Sequence, residues 1–130
     1  MMSNKSEKLR IFLLLCYVWV ILYITVFSRN PGYIRIFKGL FWEYRNGMSR
    51  DVILNIVLFL PLGFLGKNGR IMIFGFALSF AIEAIQYIGL LGYCEIDDLL
   101  HNTVGTMIGY GIKYMAIKGL KRWMEKERNK

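Results

Sequence analysis

Apolar residues in this chain occur in long runs. Ile11 to Phe27 carries no charge, and similar stretches cover Val52–Gly66 and Ile71–Leu91, the latter broken only by Glu83 among charged residues. A fourth, more polar run follows Asp98. Soluble helices instead repeat apolar residues every three or four positions. A bilayer core needs roughly 20 apolar residues per helix. The pattern therefore predicts four spans, over about residues 9–27, 51–66, 71–91 and 98–117.

The connections support this division. Ser28-Arg29-Asn30-Pro31-Gly32 ends the first run and Lys67-Asn68-Gly69-Arg70 makes a tight basic turn. Pro61 and Gly63 lie inside the second span, which is short and predicted to be kinked. Between Tyr33 and Ser49, Ile34, Phe37, Leu40, Phe41 and Trp42 alternate with Arg35, Lys38, Glu43 and Arg45. That segment is too charged to span and reads as an interfacial amphipathic helix. The first run is longer than a signal-peptide core and lacks a small-residue cleavage site, so it reads as a retained helix. The fold class expected is all-α: one domain over residues 1–130, a four-helix transmembrane bundle with a short interfacial helix between the first two spans and a basic tail over 118–130.

Composition bears on topology. The net charge of +8 is spread between and after the apolar runs, which argues against a nucleic-acid surface. Three cations at the N-terminus, two in the Lys67–Arg70 turn and seven from Lys113 onward make 12 of the 17, leaving 5 between Arg29 and Arg50. Cations are retained on the cytoplasmic side, so a multi-pass protein with both termini cytoplasmic is expected. Cys16 and Cys94 fall at different depths. No disulfide or metal spacing, and no cofactor motif, is visible.

Several polar side chains interrupt the apolar runs. At about 1.5 Å per residue, Asn55 lies roughly 6 Å inside the second span and Glu83 roughly 12 Å from the end of the third. Asp97, Asp98, His101 and Asn102 open the fourth. Alternating helix directions bring all of these to the outer half of the bilayer. Ser79, Glu83, Gln86 and Tyr87 share one helix face, as do Asp98, Asn102, Gly105 and Gly109. Gly105-x-x-x-Gly109 permits close helix approach.

An ionisable group inside a span survives mostly when paired, hydrated or functional. Glu83 is the most informative residue on that ground. Its structural alternatives are an ion pair with Arg29 or Arg50, or a neutral carboxyl bonded to Asn55 or Asn102. Asp97 also suits a helix cap, Asn55 and Asn102 suit interhelical contacts, and His101 suits the rim.

Three strings occur in series: Asn55-Ile-Val-Leu-Phe-Leu-Pro61-Leu-Gly63-Phe64, Glu83-Ala-Ile-Gln86, and Asp97-Asp98-Leu-Leu-His-Asn102-Thr103-Val-Gly105. Together with Tyr23-x-Thr25-x-Phe27-Ser28-Arg29, they resemble the VanZ-like family of membrane proteins over roughly residues 20 to 112. The resemblance implies a bacterial cell-membrane location and a link to resistance against the glycopeptide teicoplanin. The chain departs from the family pattern at Gly92-Tyr93-Cys94-Glu95, where many members carry a basic residue. Arg29 or Arg50 is then the alternative cation for a phosphate.

Three functional readings stay open. In the first, Glu83 and Asp98 form an acid and base pair acting on a lipid-linked envelope precursor, because two nearby carboxylates in low dielectric acquire separated pKa values. Arg29, Arg50, Asn55, Gln86, Asp97, His101 and Asn102 would bind the substrate. In the second, the same pocket and the aromatic segment of Phe37, Phe41, Trp42 and Tyr44 hold membrane lipids or a lipoglycopeptide antibiotic without chemistry. The third, a proton-coupled carrier, requires a homo-oligomer.

Overall fold

The structure, a computed structural model, describes residues 4–32, 36–45 and 50–129. Four long helices dominate: α1 (Asn4–Leu22), continued by a π-helical turn over Tyr23–Phe27, α3 (Arg50–Leu65), α4 (Arg70–Gly89) and α5 (Ile96–Arg128). A single helical turn, α2 (Trp42–Arg45), precedes α3. Two three-residue strands, β1 (Ile36–Lys38) and β2 (Tyr93–Glu95), complete the elements.

Side-chain contacts show that the long helices alternate in direction. At one end Lys67 meets Glu7 at 2.5 Å and Arg10 donates to the Leu65 carbonyl at 3.4 Å. Lys113 donates to the Gly66 carbonyl at the same level. At the other end Gln86 Nε2 donates to the Thr25 carbonyl at 2.9 Å, and Asn55 meets Asp98 at 2.6 Å.

The closest packing joins α3 to α5. A methyl group on Gly105 would run into the Ile56 carbonyl, one on Gly109 into the Leu60 carbonyl, and one on Gly63 into the Thr106 carbonyl. Hydrogen side chains thus let two backbones approach, as the Gly105-x-x-x-Gly109 spacing predicts. Helix α4 joins through Gly75, whose absent side chain leaves room for Thr106.

Burial runs opposite to that of a water-soluble protein. Among the described residues, seven hydrophobic residues are buried, including Ile21, Phe59 and Leu62, against nine polar or charged ones. Phe12, Leu15, Ile73 and Ile88 lie outside with more than half of their surface open. An apolar exterior this continuous favours a non-aqueous neighbour. Two helical stretches, Asn4–Phe27 and Arg70–Gly89, are long and apolar enough to cross a membrane. Helix α3, with 16 residues, covers about 24 Å.

The structure corrects the expectation for the segment before α3. Residues 33–35 and 46–49 lie outside the described residues; of those between them only the single turn α2 (Trp42–Arg45) is helical, and the expected longer interfacial helix does not form before it. β1 instead pairs in parallel with β2, matching Ile36 to Tyr93, Phe37 to Cys94 and Lys38 to Glu95. Lys38 bonds Glu95 at 2.7 Å and stands 3.9 Å from the centre of the Tyr93 ring. Phe41 then takes a left-handed conformation, φ 62°, with its N–H bonded to Asp97 Oδ1 at 2.7 Å. Tertiary partners thus override a local amphipathic pattern. A second difference is that α5 stays helical through Arg128, so the basic tail prolongs the helix.

Candidate functional site

Helix α3 places Asn55 one turn inside its start, and α5 places Asp98 in its first turn. The close α3–α5 packing brings the two together, Asn55 Nδ2 donating to Asp98 Oδ1 at 2.6 Å. They lie in the wall of a cavity of about 590 Å³. Ile24, Leu54, Val57, Leu58 and Pro61 form its apolar side, while Arg29, Asp51, Tyr93 and Glu95 join Asn55 and Asp98 on its polar side. Volume and mixed lining match those of small-molecule sites.

Arg29 follows the π-helical turn, its N–H bonded to the Val26 carbonyl at 3.3 Å, and its side chain lines this cavity. Gly92 adopts φ +136°, and a methyl group there would meet Arg29 Nη1 at 2.7 Å. A guanidinium therefore packs against the backbone at Gly92, next to β2. Arg50, exposed at the start of α3, does not line the cavity.

Pro61 shapes the apolar side. Having no N–H, it cannot donate to the Val57 carbonyl, yet α3 continues through it. One position later, the Leu58 carbonyl accepts the Tyr17 hydroxyl at 2.8 Å, fastening α1 to this stretch.

Glu83 lies elsewhere. It lines a separate cavity of about 330 Å³ with Phe37, Phe80, Ala84, Tyr87 and Cys94. Its Oε2 accepts the Glu95 N–H at 2.9 Å and it hydrogen-bonds the Cys94 side chain. Its hydrogen-bond partners are not the expected asparagines, and of the two expected arginines Arg29 acts on it by its charge alone, without a direct ion pair. Burial pushes the Cys94 thiol above its ordinary pKa, and the nearby Glu83 and Asp98 carboxylates add to the effect. Glu83 and Asp98 thus flank Cys94 from different cavities.

The remaining expected site residues are buried in structural contacts. Gln86 holds the Thr25 carbonyl. Asn102 Nδ2 donates to Ser79 Oγ at 2.9 Å, joining α5 to α4. Asp97 accepts the Phe41 N–H. His101 is 5% exposed, so it is a buried residue and not one of the rim. Among the described residues, no cluster of three or more metal-ligating side chains is assembled.

Glu95, Tyr93 and Asp51 were missed as cavity residues. Glu95 carries the clearest signal in retrospect, being a carboxylate two positions before the Asp pair. Its placement depends on the β1–β2 ladder, whose strands are too short to read from sequence.

The sequence profile of the VanZ/LLP1 family matches residues 11–117. The chain belongs to the VanZ/LLP1 family. Protein VanZ of Enterococcus faecium is 36% identical over 88 residues, covering 58% of this chain and 55% of that protein. The chain therefore spans about half the length of this relative. No solved structure matches. The matched region contains both cavities, all of α3 and α4, α1 from residue 11 and α5 through residue 117. Membership in the VanZ/LLP1 family and the two apolar helices together support association with a membrane.

Proposed function

We propose that this VanZ/LLP1 protein crosses the bacterial cell membrane four times, keeps both termini in the cytoplasm, and binds a lipid-linked cell-envelope substrate in its larger cavity. By kinship it would contribute to glycopeptide (teicoplanin) resistance. The observation carrying the reading is a single cavity with an apolar wall from the π-helical turn and α3 beside Arg29, Asn55, Glu95 and Asp98. Such a lining suits an amphiphile. Arg29 pairs a phosphate, while the carboxylates and amide accept or donate to hydroxyl and amide groups of a sugar or peptide headgroup. Lys38 already answers Glu95, which limits repulsion of the phosphate.

The orientation rests on charge: Glu7, Lys67 and Lys113 share the end that carries most cations, and the larger cavity occupies the other. Helix α3, short for a bilayer, would span with local thinning.

Binding is favoured over acid and base catalysis because Glu83 and Asp98 line different cavities. The test is a titration of purified protein in neutral detergent with a polyprenyl-diphosphate-linked muropeptide, monitored by native mass spectrometry. Saturable one-to-one binding that weakens at least tenfold in Arg29→Gln is expected. Equal binding by both proteins, or none by either, would contradict the reading.

A further inference from the structure

The opposite end of the bundle carries another cavity, of about 260 Å³, between the turn after α3 and the later part of α5, with Ile117 on its apolar side. Lys67, Tyr110, Lys113, Tyr114, Lys118 and Lys121 line it. The α5 members fall at i, i+3, i+4, i+8 and i+11, one continuous face of the helix. Sequence reading treats these lysines only as topology signals, but the fold gathers four of them around one concavity.

Their charges are poorly compensated. Lys67 has Glu7 at 2.5 Å. Lys113 donates to the Gly66 carbonyl, which satisfies a hydrogen bond but brings no negative charge. Lys118 stands 5.9 Å from the centre of the Tyr114 ring, and it and Lys121 are exposed. Among the described residues, no carboxylate lines the cavity. The Arg10 charge also acts on Lys113, and a bound anion relieves repulsion among cations gathered at one concavity. Two tyrosines add hydroxyl donors. One turn beyond, Leu120, Trp123 and Met124 are exposed beside the cations, a mixture suited to headgroup depth.

We propose that this cavity binds a net-anionic phosphate group, supplied either by a phospholipid headgroup or by a soluble phosphate. The site is independent of the cavity assigned to the envelope substrate. The full chain in neutral detergent is titrated separately with phosphatidylglycerol, phosphatidylcholine and inorganic phosphate, with tryptophan fluorescence as readout. Phosphatidylglycerol should bind saturably and phosphatidylcholine should not. Lys118→Gln/Lys121→Gln, both at exposed positions, should weaken binding about thirtyfold, and Lys118→Arg/Lys121→Arg should restore it. Lys8→Gln/Lys126→Gln removes the same charge outside the cavity and should leave binding unchanged. Tighter binding of phosphatidylglycerol than of phosphate assigns a lipid, and equal or tighter binding of phosphate assigns a soluble anion. Equal loss in both Gln double variants, equal and saturable binding of the two lipids, or binding of neither anion would overturn the proposal.

Discussion

Asn55 and Asp98, forty-three positions apart in sequence, are joined by a 2.6 Å hydrogen bond between α3 and α5 in the wall of the larger cavity. The bond belongs at once to the packing of two helices and to the polar wall of the candidate site. A double-mutant cycle with Asn55→Ala and Asp98→Ala, read by unfolding in detergent, should give a coupling of about 1.5–3 kcal/mol, the range for hydrogen bonds to charged groups. Strictly additive losses would show that the two residues do not act together.

The α3–α5 contact depends on absent side chains. Gly109→Ala pushes a methyl group into the Leu60 carbonyl and should lower stability by about 1–3 kcal/mol. Gly111, where a methyl group would meet nothing within 4 Å, provides the contrast. Gly111→Ala should be neutral or stabilising by up to about 1 kcal/mol through helix propensity. Thermal melting of the two variants side by side checks the difference.

Glu83 accepts the Glu95 N–H. Glu83→Gln keeps an acceptor there and should preserve the fold, whereas Glu83→Leu strands a buried N–H and should cost about 1–3 kcal/mol. On the binding account, Glu83→Gln also retains substrate binding and protection of cells at equal protein level. Loss of protection with binding intact would return Glu83 to an acid and base role.

Cys94 offers a chemical probe of the same region. Burial first, then Glu83 and Asp98, raises its thiol pKa. The thiolate is the reactive form, so in a Cys16→Ser background maleimide labelling should be slow near neutral pH and accelerate into the alkaline range. Glu83→Gln removes a nearby negative charge, lowers that pKa and should speed labelling at a fixed pH. An unchanged rate would mean that Glu83 does not influence the thiol.

Much of the scaffold was legible because helix-length apolar runs and small-residue spacing are local signals. The Gly105-x-x-x-Gly109 contact followed from residue size alone, and the family followed from three motifs in series. The segment around Phe37 was misread because its amphipathic pattern is local, whereas the β1–β2 pairing links residues 57 positions apart. For the same reason Glu95 was passed over. Periodicity placed Ser79, Glu83, Gln86 and Tyr87 on one face, of which the first three are buried and Tyr87 is 41% exposed, and a shared face does not determine which cavity each side chain meets. Glu83 points to β2 and Gln86 to the Thr25 carbonyl, so neither joins Asp98.

The central claim is that the larger cavity holds a lipid-linked envelope substrate. It is tested most directly by placing a photo-crosslinking phenylalanine analogue at Val57, which lines that cavity, or at Ile88, which is 70% exposed and does not. After irradiation of living cells, the adducts are identified by mass spectrometry. The account predicts a lipid-linked envelope precursor on the Val57 variant, diminished by Arg29→Gln and absent from the Ile88 variant. Bulk phospholipid alone at both positions, in equal amounts, would contradict it.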